Sequence, residues 1–130
     1  MKLRSISLSN VRKFAGQTAT ISGISDGVSV VAQANEFGKS TFFDALHALF
    51  FLKYGSTTRE VKALQPRAGG AVRVSAEIEL PKGRFTLEKS FLAQKRASVK
   101  DAKGTIIALD DEAENWIAQL MGSGLEGPAG

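Results

Sequence analysis

Val28-Ser29-Val30-Val31-Ala32 runs without a break into Gln33-Ala34-Asn35-Glu36-Phe37-Gly38-Lys39-Ser40-Thr41, and the fold turns on this stretch. The first five residues, apolar or β-branched at nearly every position, predict a strand buried on both faces. Beyond the loop, Thr41 to Leu52 carries Phe42, Phe43, Ala45, Leu46, Ala48, Leu49, Phe50 and Phe51. Apolar residues almost all round predict a helix packed inside the protein.

Strand, short loop closing in Gly38-Lys39-Ser40, then helix is the order that suits a phosphate cradle. A bound phosphate needs several backbone N–H donors converging on one point, supplied by a loop wound around it and by the first turn of a helix. Gly38 permits the tight winding, and Lys39 adds a point charge between β- and γ-phosphates. Ser40 offers its hydroxyl to Mg²⁺, and Thr41 can donate to the α-phosphate. The plain alternative is a helix N-terminus where Ser40 only caps and Lys39 is solvated. The P-loop pattern departs from its usual form at Gln33, which stands five residues before Gly38 where the first Gly is expected, and Glu36 fills a position that is Gly in many such loops. A side chain at Gln33 excludes the positive φ that Gly allows, so the loop must turn within ordinary backbone space, with affinity at stake.

Outward from this centre, Lys2 to Val11 interleaves polar and apolar residues and predicts a first strand, and Thr18-Ala19-Thr20-Ile21 a second. Residues 1–54 thus form a P-loop core and 55–71, broken by Gly55, Pro66 and Gly69-Gly70, an irregular connection. From Val72 the period is two: Val72, Val74, Ala76, Ile78 and Leu80 share one face, Arg73, Ser75, Glu77 and Glu79 the other. Pro81-Lys82-Gly83 turns this strand, Phe85, Leu87 and Phe91 continue on its partner, and Asp101-Ala102-Lys103-Gly104 turns a second hairpin before Thr105-Ile106-Ile107. These hairpins make an antiparallel β subdomain over 72–108. An amphipathic helix over 110–121 follows, with Ala113, Trp116, Ile117, Leu120 and Met121 at helical spacing, Asp110 or Asp111 as N-cap and Gly122 as stop. Residues 123–130 read as a loose end.

The chain has 130 residues, 43% hydrophobic and 23% charged, which suits one compact domain and excludes disorder over most of its length. No Cys and a single His exclude zinc fingers, iron–sulfur clusters and cysteine nucleophiles. The start alternates too often for a secretory signal, and no apolar run approaches the ~18 residues of a membrane span, so a cytoplasmic protein without membrane contact is expected. Residues 1–105 hold all 17 Lys and Arg against 8 acids, and residues 106–130 hold five acids and no base. A basic body admits a polyanionic partner, although solvated faces produce the same pattern.

The wording Asn35-Glu36-Phe37-Gly38-Lys39-Ser40-Thr41 after the opening Leu8-Ser9-Asn10-Val11-Arg12-Lys13-Phe14 resembles the SMC-like ATPases, an ABC-class group of P-loop ATPase heads that includes the RecF, RecN and SbcC families. The resemblance covers about residues 1–122. It implies an α/β amino-terminal lobe with a strand pair, a Walker A loop and its helix, and an antiparallel β subdomain, leading into a coiled coil. It further implies ATP and Mg²⁺ as cofactors and a role in DNA repair or chromosome maintenance. The implied site is Arg12, Asn35, Glu36, Phe37, Gly38, Lys39, Ser40 and Thr41, with Ser40 on the metal. Arg12 enters because family members bring a cationic side chain to the nucleotide at the place of Arg12-Lys13; a solvated turn is the other reading. The implied partners are the carboxy-terminal lobe of the same head, a second head, and DNA. No glutamine loop, LSGGQ-type signature or Walker B acid pair is visible, so a lobe that binds nucleotide and turns it over poorly alone is expected.

Two competing readings remain. Thr105-Ile106-Ile107-Ala108-Leu109-Asp110-Asp111-Glu112 has the form of a Walker B strand, which would make a complete small P-loop NTPase with Asp110 or Asp111 on Mg²⁺; helix capping explains the same acids. A non-enzymatic basic DNA-binding module is the other, with Arg59, Lys62, Arg67, Arg73, Lys82, Arg84, Lys89, Lys95, Arg96, Lys100 and Lys103 as candidate backbone contacts. Phe42, Phe43, Phe50 and Phe51 are expected in the core, Trp116 in the core or at a lobe contact, and His47 in the core or at its rim, with no carboxylate partner in view.

Overall fold

In the computed structural model of the chain, residues 2–12, 16–21 and 39–122 are described. The strand expected over Val28–Ala32, the loop from Gln33 to Gly38, Lys13, Phe14 and the end at 123–130 lie outside the described residues. The elements are β1 (Lys2–Ser9), β2 (Thr18–Ile21), α1 (Lys39–Phe51), α2 (Arg59–Lys62), β3 (Val72–Leu80), β4 (Gly83–Phe91), β5 (Arg96–Asp101), β6 (Ile106–Leu109) and α3 (Asp111–Gly122). The structure is α/β, a six-stranded sheet ordered β2-β1-β3-β4-β5-β6. Among the described residues every strand pairing is antiparallel.

The period-two pattern sets the faces of this sheet. Val72, Val74, Ala76, Ile78 and Leu80 of β3 are buried, while Arg73, Ser75, Glu77 and Glu79 face outward. The register carries that division across the sheet, Ala76 opposite Ile6 and Leu87, Ser75 opposite Ser7 and Glu88. One sheet face is therefore apolar and the other lined with hydroxyls and charges. β1 and β3 are adjacent although about seventy residues apart in sequence, and their ladder slips at Arg4, whose Nε donates to Glu79 at 2.7 Å. The expected hairpins form, the second with Asp101 Oδ1 accepting from the N–H groups of Lys103 and Thr105 across its turn.

α1 and α3 pack on the apolar face. α1 does not follow the expectation of burial all round. Phe42, Ala45, Ala48, Leu49 and Phe50 are buried, each large one contributing roughly 1.5–3 kcal/mol, but Phe43 and Phe51 are exposed. A run of adjacent aromatics fixes helix and hydrophobicity, not which flank a neighbour covers. His47 lies on the exposed rim with its Nε2 3.3 Å from Glu60 Oε2, the partner that its own helix does not reveal. The 55–71 connection contains α2, one turn long, anchored by Val61 and Leu64 in the core. Trp116 is partly buried, its ring 5.2 Å from that of Phe85 with the Lys82 ammonium 5.4 Å above it.

Candidate functional site

Lys39 and Ser40 open α1, so the helix begins within the Gly38-Lys39-Ser40 junction. Asn35, Glu36, Phe37 and Gly38 belong to the loop outside the described residues. Arg12 and Thr41, 29 positions apart, come together, and the reason lies at the end of β1.

Asn10 leaves the ladder in the left-handed region, φ 56°, a conformation that Asn tolerates because its short amide bonds locally. Its Oδ1 accepts from the Gly16 N–H at 2.9 Å, and its Nδ2 donates to the carbonyls of Gly69 and Ala71 at 3.1 and 2.9 Å. The staple needs Gly70 beside it, since a Cβ there would lie 3.1 Å from Asn10 Nδ2 and φ is +92°. The chain is thereby aimed at the end of α2. Arg12 follows, also left-handed at φ 46°, with its N–H donating to Leu64 O at 2.8 Å. An Arg held in that region is a local strain that the surrounding structure must offset.

The Arg12 guanidinium reaches three acceptors. Nε donates to Ala63 O at 3.1 Å, one terminal nitrogen to Asp44 Oδ2 at 2.8 Å, and the other to Thr41 Oγ1 at 3.4 Å. Thr41 is buried, and the Arg12 and Asp44 side chains are 30% and 55% exposed. Sequence reasoning missed Asp44, although it stands one turn after Thr41 on the same helix and so shares its face. The Ala63 carbonyl has no sequence signal at all.

The electrostatics of this end are one-sided. α1 has no acid in its first turn, and its N-terminus carries the positive pole of the helix dipole. Bringing Arg12 to this end puts positive charge where the helix dipole disfavours a cation, and Asp44 offsets part of it. A bound anion relieves the remainder, so the residues fit a polyphosphate. Among the described residues no cluster of three His, Asp or Glu side chains could hold a metal.

The opposite end of α1 is built differently. It has no basic residue in its last turn, and Lys89 of β4, 1% exposed, supplies one. The Lys89 ammonium donates to Leu52 O at 2.6 Å and to Glu114 Oε1 at 2.8 Å, while Glu114 Oε2 accepts from the Tyr54 N–H at 2.6 Å. Burial holds the Lys89 ammonium below its ordinary range against the opposing pull of Glu114. Lys89 is therefore removed from the expected set of surface cations. It stands on the inward register of β4 with Leu87 and Phe91, and that position was the available signal.

Asp110 and Asp111 have local partners. Asp110 Oδ1 accepts from the Ala97 N–H at 3.2 Å, tying the turn before α3 to β5, and Asp111 Oδ1 accepts from the Tyr54 hydroxyl at 3.1 Å. β6, which leads to them, is paired with β5 at the end of the sheet order. Among the other cations, Arg84 lies within 3.4 and 3.7 Å of Glu77 and Glu79, Arg96 Nε lies 3.7 Å from Asp110 Oδ1, and Arg73, Arg96 and Lys100 line a recess of about 550 Å³ on the outer sheet face with Glu88.

The match to a family model identifies an AAA-type, ATPase-like region. The chain belongs to the AAA domain family, whose model matches residues 1–124. Over 137 aligned positions it is 39% identical to the uncharacterized proteins Mb1309 of Mycobacterium bovis and Rv1278 of Mycobacterium tuberculosis, which covers 93% of this chain. The chain spans 15% of the length of those relatives. No helix among the described residues is long and apolar enough to cross a membrane.

Proposed function

We propose that this chain is the ATP-binding lobe of an SMC-like ATPase head acting in DNA repair or chromosome maintenance. Mg·ATP sits on the loop Asn35 to Gly38 and on Lys39, Ser40 and Thr41, with Arg12 at the phosphates and the Ser40 hydroxyl on Mg²⁺. The observation that carries this reading is the convergence of Arg12 on Thr41 in the first turn of α1. A solvated turn would leave Arg12 apart from the loop's helix. The local partners of Asp110 and Asp111 favour a lobe over a complete NTPase: a cradle without an acid to hold Mg²⁺ and orient water binds nucleotide and hydrolyses it poorly. Hydrolysis then belongs to a head completed by a carboxy-terminal lobe, joined through a coiled coil and paired with a second head in the cytoplasm. Calorimetry with Mg·ATP tests the core of this. Binding by the native chain and its loss in Lys39→Ala are expected; equal affinity of the two proteins removes the proposal.

A second activity has its own observation. The cations Arg73, Arg96 and Lys100 around the outer recess, interleaved with Ser90 and Ser98, suit the phosphate backbone of DNA. Binding there is steeply salt-dependent and insensitive to sequence. Titrating a duplex at two salt concentrations, with and without ATP, separates a lobe from a non-enzymatic module: strong binding that ignores ATP favours the module.

A further inference from the structure

We propose that Asp44 is a positioning residue of the nucleotide site, fixing the Arg12 guanidinium so that its remaining donors are presented to the phosphates of the ligand. The inference rests on the nucleotide-binding reading and adds to it a residue and a mechanism. A guanidinium carries five N–H groups in a rigid plane. One is taken by Ala63 O, one by Asp44 Oδ2 and one is directed at Thr41 Oγ1; among the described residues the second N–H of each terminal nitrogen has no acceptor, and these two are the donors assigned to the ligand. The Ala63 carbonyl holds the inner end of the fork, next to the stem. Asp44 sets the rotation of its outer end, and its 2.8 Å contact is far shorter than the 3.4 Å contact to Thr41. Without Asp44 the fork regains rotational freedom that binding would have to remove again.

Asp44 acts in two opposed ways, and the opposition makes the assignment testable. Its carboxylate orders Arg12, which strengthens phosphate binding; its negative charge also repels phosphate, although water screens a side chain that is 55% exposed. Ordering outweighs repulsion only while Arg12 is present. Removing the charge should therefore weaken binding in the native background and not in a background that lacks Arg12.

The experiment is Mg·ATP calorimetry on the whole chain as native protein, Asp44→Asn, Arg12→Ala and the double variant, with thermal melting to establish that each is folded. Arg12→Ala is expected to weaken binding roughly tenfold or more, as for a lost charged hydrogen bond. Asp44→Asn is expected to weaken it roughly fivefold, and the same change added to Arg12→Ala to leave affinity equal or tighter. Asp44→Glu, which keeps the carboxylate, should recover most of the loss. Equal weakening in both backgrounds means that Asp44 supports the helix and overturns the assignment; tightening in both means plain repulsion and overturns it too. If the native chain binds no nucleotide, the binding reading itself fails and takes this inference with it. Native binding with an additive cycle sinks the role of Asp44 alone.

Discussion

The two ends of α1 are each met by a basic side chain from the sheet side of the molecule, and they use it in opposite ways. At the C-terminal end, Lys89 meets the negative pole of the helix, is 1% exposed, and has its charge answered by Glu114 and by the Leu52 carbonyl. At the N-terminal end, Arg12 meets the positive pole, is 30% exposed, and among the described residues has acceptors for three of its five N–H groups. The first arrangement is complete as it stands, and the second is the one the nucleotide-binding proposal completes with an anion. A cation at the negative pole of the dipole and sealed from water is stabilised by the fold itself; one at the positive pole and partly open to water is disfavoured by the dipole and gains from a neighbouring anion.

The largest effect that would break this contrast falls at the sealed end. Glu114→Ala leaves the Lys89 ammonium buried without its carboxylate and the Tyr54 N–H without its acceptor. A loss of about 3–5 kcal/mol in urea-unfolding free energy is expected; a loss under ~1 kcal/mol would mean that the pair is not holding the helix end.

Next comes pH. Because burial lowers the Lys89 pKa below its ordinary 10.5, the unfolded chain binds more protons than the folded one on approach to that value. Stability contributed through this group therefore rises with pH and is least below both pKa values. Urea midpoints of the native protein and Lys89→Met, compared from neutral pH toward about pH 10, should show the native protein gaining stability relative to the Met variant as pH rises. A constant difference would contradict the sign.

The smallest effect sharpens the contrast from the other side. Arg12→Ala is expected to cost folding stability about 1 kcal/mol or less, since its ion pair is exposed to water. Urea unfolding measures this directly, and a cost as large as that of Glu114→Ala would make Arg12 a structural residue after all.

Much of the architecture was legible. The alternation from Val72 to Leu80 forces one face inward whichever strand lies beside it, and the turns at Pro81-Lys82-Gly83 and Asp101 to Gly104 are local chemistry. The acids at 110 and 111 were legible as the start of a helix, although Asp110 spends its carboxylate on Ala97 across the sheet. Less was legible where a long-range neighbour decides. Phe42 and Phe43 are adjacent and equally apolar, yet one is buried and the other exposed because the sheet covers one flank of α1. Lys89 looked like one more surface cation until its register was counted, and Glu60 as a partner for His47 required α2 to fold back beside α1.

The order of apolar, hydroxyl and glycine residues along the chain was enough to specify the described strands, the two hairpin turns and the helices α1 and α3, because each depends on steric and hydrogen-bonding preferences acting over a few positions. The pairing of β1 with β3, the meeting of Arg12 with Thr41 and Asp44, and the sealing of Lys89 against Glu114 joined residues tens of positions apart. Only tertiary packing decides such contacts, since they follow from burying one sheet face under two helices and then neutralising whatever charge that burial encloses.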